Sequence, residues 1–466
     1  MKKIYLMFYA LLFSAGIHAE DVLQIVPQQI VAGSSADDGR TFAIEMNNEN
    51  EFVALQFDLY MPDGVILDNV YDPIELSKDR FPHTTGRGGA ITWEHDVDLT
   101  LREEGFYRIA ISSSKNSKIS GTSGTLINVF YISDSELPDG VLPVEIKNVV
   151  MAISGTSDVK PADCSSFFYT DKFDWNASKL DLSALTGTLT TDVVEAVNSN
   201  ISDNANLTTL DLSGIDNAGV AFESANPNAL VYAKSGSTFA SLQQTAWGKN
   251  VVDGNVCGQL IITDGYPFNV DKSFTATAAT YQRTLAKEGW YSLCLPYVAN
   301  KPAGVTVERF SELDASAGTV VFSDGDIAAN VPCIFNAPAG NITFSASDVE
   351  IVKTPEKMND GAFVGVYDKT GEGAIAGSYA LFADGSGFGI AGTTAYAEPF
   401  RAYIEAESSK AKTLRLIHGE TTGVDLLEKE VGERSDIYSI DGRYAGRSIE
   451  QLPKGIYIIN NKKLIK

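Results

Sequence analysis

The sequence predicts a mainly β, multidomain protein. Short apolar runs alternate with polar residues at a period of two through most of the chain, and clusters of Gly, Pro, Asn and Asp punctuate them. A helical period stands out in one stretch, TTDVVEAVNSNI. With 466 residues the chain is long enough for about three domains, each burying its own core.

The first residues, MKKIYLMFYALLFSAGIHAE, place Lys2 and Lys3 ahead of an apolar run from Ile4 to Ala15, followed by small residues and Glu20. This pattern predicts a secretory signal peptide over 1–19, cleaved after Ala19. Gly16 and His18 interrupt the run before it reaches the ~18 apolar residues of a membrane span. No later stretch is long and apolar enough to form a transmembrane helix, and the first cysteine, Cys164, lies far from the cleavage point, where a lipid anchor would need one. The mature chain is therefore expected outside the inner membrane, secreted or on the outer cell surface, with the periplasm as the alternative.

Sixty acidic residues against 36 basic ones leave a net charge of -24, although only 21% of residues are charged. Such a surface repels phosphate backbones and anionic lipid headgroups, which argues against nucleic acid or a membrane surface as a partner. It suits solubility outside the cell.

From 20 to 160 the pattern is that of a β-sandwich. In FVALQFDLYM, Val53, Leu55, Phe57 and Leu59 face one way and Gln56, Asp58 and Tyr60 the other. Pro62, Asp63 and Gly64 then make a turn, since proline presets φ and glycine tolerates positive φ. Further strands follow in GFYRIAISS, TLINVFYIS and VLPVEIKNVVMAIS. This order resembles the cohesin-like and carbohydrate-binding-module-like sandwiches of Ig-like architecture. The resemblance implies a binding module for a glycan or a protein partner, a dockerin-bearing one if function follows fold.

The stretch 175–265 contains an internal echo, LDLS at Leu180 and again at Leu210. The helix between them is expected to be capped by Thr191 or Asp192, with Val193, Val194, Ala196 and Val197 as its apolar stripe. Strand, helix and strand at this spacing resemble one turn of a leucine-rich-repeat solenoid, continued by degenerate strands in NPNALVYA and GNVCGQLIITDG. Residues 266–420 read as a second all-β domain, with strands in SFTATAATYQR, GWYSLCLPYVA, GAFVGVYD, GSYALFAD and FRAYIEAE and turns at Asp384-Gly385 and Gly371-Glu372-Gly373. Its beginning resembles a segment of large surface proteins from bacteria that use type IX secretion.

Residues 421–434 are polar and acidic and read as a linker. A small C-terminal β module, 435–466, follows: Asp441-Gly442 is a type I′ turn signal, and Pro453-Lys454-Gly455 redirects the chain for a last strand. Tyr438, Asp441, Gly442, Arg443, Leu452, Gly455 and Tyr457, with basic Lys462, Lys463 and Lys466, resemble the C-terminal sorting domain read by type IX secretion. That resemblance implies the secretion machinery as a partner.

Signals of catalysis are few. His83, His95 and His418, which lie beyond the leader, are not spaced as HxH or HExxH, and the chain has neither a GxSxG elbow nor a P-loop. In TWEHDVD, Glu94, Asp96 and Asp98 could gather on one face of a strand, but adjacent carboxylates in so acidic a chain read as a solvated edge. No catalytic residue or cofactor is expected. Calcium is the metal that Asp324-Gly325-Asp326 or Asp368 to Glu372 would favour, and neither stretch completes an EF-hand loop. Four cysteines without a CxxC suit disulfides in an oxidising compartment, Cys294 with Cys333 as the foremost pair. Trp93, between polar Thr92 and Glu94, is the first choice for a ring that stacks on sugar.

These observations together predict an exported, non-catalytic protein that binds a glycan or a protein through its N-terminal sandwich. The alternatives are a structural or adhesive component of a surface assembly and an accessory enzyme of polysaccharide breakdown.

Overall fold

The computed structural model describes residues 21–155, 157–405, 411–419, 437–439, 443–446, 451–459 and 462–466. Ala19, Asp441, Gly442 and the 421–434 stretch lie outside these residues. The chain divides into two units, Met1–Ala225 with Leu230–Gly254, and Asn226–Ala229 with Asn255–Lys466.

The first unit opens with a β-sandwich. Its smaller sheet takes Val22–Gln24, Thr41–Asn47, Thr125–Ser133 and Val65–Leu67 in that order, with Ile74–Leu76 also on Thr125–Ser133. The larger sheet runs from Ile215–Ala218 and Gly187–Leu189 through Cys164–Tyr169, Val141–Ala152, Ala54–Tyr60 and Tyr107–Ser112 to an edge strand, Asp96–Leu101. Leu55, Phe57 and Leu59 from the larger sheet and Phe42, Ile44, Val129 and Tyr131 from the smaller one share a single core. The period of two holds over Ala54–Tyr60, with one departure: Asp58, on the outward face, is fully buried.

The sandwich extends beyond residue 160, because Cys164–Tyr169 pairs antiparallel with Val141–Ala152 and sets Cys164 opposite Ile146. The Phe168 ring of this strand packs 4.9 Å from Phe42. An apolar strand beyond the expected boundary thus closes the core.

The LDLS echo is a structural register. Lys179–Asp181 lies parallel to Thr209–Leu212 with Leu180 directly opposite Leu210, and Leu230–Ala233 and Val251–Asp253 continue the parallel stack. In both copies the aspartate accepts from the serine two positions on: Asp181 Oδ1 from the Ser183 amide at 3.1 Å and hydroxyl at 2.6 Å, and Asp211 Oδ1 from those of Ser213 at 3.2 and 2.7 Å. Each tetrapeptide therefore supplies an inward leucine and a turn that stops the strand.

Helix α1 spans Thr191–Ile201 and buries Val193, Val194, Val197 and Ile201. Its cap is Thr190 rather than the expected Thr191 or Asp192, because Thr190 is the last residue with extended backbone, and its hydroxyl accepts from the Val193 amide. Ala196 stands half-buried at the edge of the stripe. A second helix, α2 at Thr238–Trp247, is capped by Ser237 and stopped by Gly248 in the left-handed region. It buries only Phe239, Ala240 and Gln243, too sparse a stripe to announce itself in the sequence.

In the second unit the long strands Phe274–Leu285 and Gly340–Ile351 pair antiparallel along their length, with Tyr281 opposite Phe344. A ten-stranded sheet begins with Gly289–Leu293, Cys333–Ala337, Thr306–Asp314, Thr319–Asp324 and Thr413–His418, and ends at Met358–Asp360. Val320, Phe322, Ile334, Phe363, Tyr379 and Phe388 form a core on it. The C-terminal residues form a four-stranded sheet with a small core of Ile437, Tyr457 and Leu464.

The expected Cys294–Cys333 disulfide is not formed: all four cysteines are free and buried. Leu293, the last residue of its strand, stands opposite Cys333, so Cys294 falls outside the strand and off the register that would set it against Cys333. Among the described residues no helix is long and apolar enough to cross a membrane.

Candidate functional site

The outward face of the larger sandwich sheet carries an ordered set of charged and aromatic side chains. Register places Thr100, Arg108, Asp58 and Lys147 in one row across four strands, with Asp98, Ala110 and Gln56 in the next row. Gln56, Tyr60, Thr100, Ala110 and Lys147 are half-buried, while Asp96, Asp98 and Ser112 are exposed. One side of this face is acidic, along the edge strand, and its middle carries two ion pairs, Arg108 with Asp58 and Lys147 with Glu145 at 2.6 Å.

Arg108 holds the centre. Its Nε donates to Asp58 Oδ1 at 2.6 Å and its Nη2 to Oδ2 at 2.8 Å, a bidentate pair in which Asp58 is fully buried and Arg108 is 32% exposed. A bulge in the pairing of Val141–Ala152 with Ala54–Tyr60 falls between Lys147 and Val150, and Asn148 within it has φ 55. The bulge re-aims Asn148 so that its Nδ2 donates to Asp58 Oδ2 at 2.9 Å. These hydrogen bonds, those of Arg108 first, hold the Asp58 carboxyl below its ordinary range. Beside it the Tyr60 ring stacks on Phe106 at 4.9 Å, and the Lys147 ammonium lies 4.8 Å over Tyr60. The face thus sets polar and aromatic groups around an ion pair whose acid is buried and whose base reaches the surface.

The TWEHDVD segment divides among several environments. Trp93 is half-buried: it packs against the sandwich core, and its ring lies 5.1 Å from that of His83. Glu94 accepts from the Ser117 hydroxyl and pairs with Lys115 at 3.7 Å, interactions that lower its pKa, the Ser117 hydrogen bond first. His95 is buried with its ring edge-on to Phe81 at 5.2 Å, and burial pushes its pKa down. Only Asp96 and Asp98 share the outward face of the edge strand, so the three carboxylates do not gather.

Elsewhere, Asp324 and Asp326 both pair with Lys301, at 3.6 and 3.3 Å, and burial raises the pKa of Asp368. In the C-terminal sheet Tyr438, 40% exposed, meets Tyr444 edge-on at 5.9 Å. The Ser439 amide donates to the Arg443 carbonyl at 2.8 Å, closing a hairpin. Leu452 packs on the small core, Gly455 exchanges two backbone hydrogen bonds with Lys466, and the buried Tyr457 donates its hydroxyl to the Pro453 carbonyl at 2.7 Å.

Sequence reasoning missed the roles of Arg108 and Asn148. The one available signal was an aspartate in the middle of an otherwise regular strand, which needs a cation or donors if it is to be buried.

No protein-family model matches the chain, and no curated protein does. Solved structures similar to part of it are cohesin modules. One from a family 33 glycoside hydrolase of Clostridium perfringens is 10% identical, with 33% of this chain and 98% of that one covered and a TM-score of 0.23. The seventh ScaB type I cohesin of Pseudobacteroides cellulosolvens is 14% identical, with coverage of 33% and 92% and a TM-score of 0.24. A non-cellulosomal cohesin of the archaeon Archaeoglobus fulgidus is 13% identical, with coverage of 33% and 91% and a TM-score of 0.23.

Proposed function

We propose that this chain is an exported, non-catalytic binding protein whose N-terminal sandwich docks a protein partner on the outward face of its larger sheet. The observation that carries this reading is the row Thr100, Arg108, Asp58 and Lys147, spread across four strands around an ion pair whose acid is fully buried. A pre-organised, half-exposed sheet face loses little side-chain freedom on docking, and aromatic groups such as Tyr60, together with Arg108, are the residue types that anchor protein interfaces. A sugar, by contrast, needs a concave site lined with rings, and Trp93 spends much of its surface on the core.

In the same reading the leader exports the chain, and the 435–466 module addresses the secretion machinery that brings it to the cell surface. Fractionation of native cells with mass spectrometry of both mature termini tests the route; intact protein confined to the periplasm would sink it.

Docking is tested by placing a photo-crosslinking side chain at Gln56 or Ala110, with Glu75 on the smaller sheet as control. Protein adducts at the first two positions and not at the third are expected, and those at Gln56 should disappear on Ala110→Arg. Equal labelling at all three, or adducts indifferent to Ala110→Arg, would refute the docking face. Hydrolysis of any member of a glycan panel by the purified mature chain would overturn the non-catalytic reading.

A further inference from the structure

A cleft of about 690 Å³ opens in the second unit, lined by Asp264, Arg283, Tyr291, Phe382, Tyr396 and Arg401 among others. Its volume falls in the range of small-ligand sites, ~300–1,000 Å³. The residues come from widely separated parts of the chain and bring two guanidinium groups close to a single carboxylate.

That carboxylate is already taken by one of them. Arg401 binds Asp264 in bidentate fashion, Nη1 to Oδ1 at 2.8 Å and Nη2 to Oδ2 at 2.9 Å, and the Tyr281 hydroxyl donates to Oδ1 at 2.5 Å. Burial alone would raise the Asp264 pKa, but the Arg401 hydrogen bonds and charge outweigh it and hold the acid ionised.

Arg283 differs. Its side chain is only 10% exposed, and its Nε lies 3.9 Å from Asp264, beyond hydrogen-bond reach. Its one hydrogen bond among the described residues runs from Nη1 to the Ser292 carbonyl at 3.1 Å. The guanidinium carbon lies 4.9 Å from the Tyr291 ring centroid, and among the described residues Nε and Nη2, the side-on fork suited to a carboxylate, have no hydrogen-bond acceptor. Arginine remains protonated even when buried, so the cleft presents a largely buried cation with donors free to meet an anion. Of the other charged groups lining the cleft, Lys287 adds a cation and Glu398 is paired with Lys369 at 3.5 Å. The cleft therefore carries a local positive excess in a chain of net charge -24.

The walls specify more than an anion. The Phe382 ring is 39% exposed and Tyr396 45%. Phe382 lies against Gly389, where a Cβ would come 2.4 Å from the ring, so the glycine lets the ring seat one side on the backbone. Exposed rings beside a guanidinium fork match a sugar whose apolar C–H face can stack on a ring while its acid group meets the cation. We propose that this cleft binds an acidic polysaccharide through a sugar residue that bears a carboxylate, with Arg283 receiving the acid and Phe382 and Tyr396 receiving the ring. The site is independent of the docking face on the sandwich and shares no residue with it.

The test is calorimetric titration of the full mature chain with trigalacturonate, alginate oligosaccharides and glucuronoxylan oligosaccharides, each beside its methyl-esterified form. At least one acidic form should bind, weaken at least tenfold on esterification and weaken further with added salt. Arg283→Met should cost at least tenfold in affinity with the melting temperature retained, Arg283→Lys should restore part of it, and Phe382→Ala should cost several-fold. If Arg283→Met does not fold, Phe382→Ala and Tyr396→Ala carry the test, since both rings are exposed. Absence of binding by every acidic form, equal binding of the esters, equally tight binding of an acidic peptide, or unchanged affinity in these variants would each overturn the proposal.

Discussion

Asp58 and Arg108 stand opposite one another in neighbouring strands of the sandwich, the acid fully buried and the base a third exposed. Hydrogen bonds of 2.6 and 2.8 Å join them. A buried carboxylate that depends on so few donors makes the sheet face sensitive to the loss of any of them.

Asp58→Ala should therefore cost about 2–3 kcal/mol and Asn148→Ala about 1 kcal/mol, read from urea denaturation. The sign of the pH effect follows from the lowered pKa of Asp58. Its contribution is complete above the unfolded-state value, near 3.9, and is lost as pH falls through the folded-state value. Acid unfolding of the sandwich below about pH 4 should lose part of its steepness in Asp58→Asn; an unchanged acid profile in that variant would contradict the pair.

His95 acts in a different pH range. Burial is the first cause of its lowered pKa, so below about pH 6.5 the unfolded state takes up a proton that the folded state does not, and stability falls until the folded-state value is passed. The melting temperature of the wild type should drop between about pH 7 and 5, and His95→Phe should remove that component. A variant with the same slope as wild type would show that the slope arises elsewhere.

The thiols make a third test. Burial pushes the Cys164 and Cys333 thiols up to about 12 and the Cys294 thiol upward as well. Thiol reagents should label none of the four cysteines in the native protein and all four after unfolding in denaturant without reductant. Recovery of only two would mean that a disulfide exists.

The repeat stack depends on a close backbone approach. At Gly214 a Cβ would lie 2.1 Å from the Leu185 carbonyl oxygen and 2.5 Å from that of Ser183. Neither backbone oxygen can yield cheaply, so Gly214→Ala should cost about 3 kcal/mol or more. Gly258→Ala, where nothing lies within 4 Å, should stay within about 0.5 kcal/mol of wild type. Removing the helix cap with Thr190→Ala should cost about 1 kcal/mol.

Much of the fold was legible in the residues themselves. Alternation in FVALQFDLYM placed Leu55, Phe57 and Leu59 in the core, and the LDLS echo anticipated the register that sets Leu180 against Leu210. Both follow from geometry within a few residues, since a strand turns each successive side chain to the opposite face and a repeated segment stacks on its own copy. Tertiary structure alone decided that Asp58 would be buried, that Leu293 rather than Cys294 would stand opposite Cys333, and that α2 would pack with a sparse apolar stripe. It also decided that Arg283 and Arg401, distant in sequence, would meet at Asp264. Those outcomes depend on which strands become neighbours, and pairing across long stretches of chain is settled by burial of the whole core rather than by any local pattern.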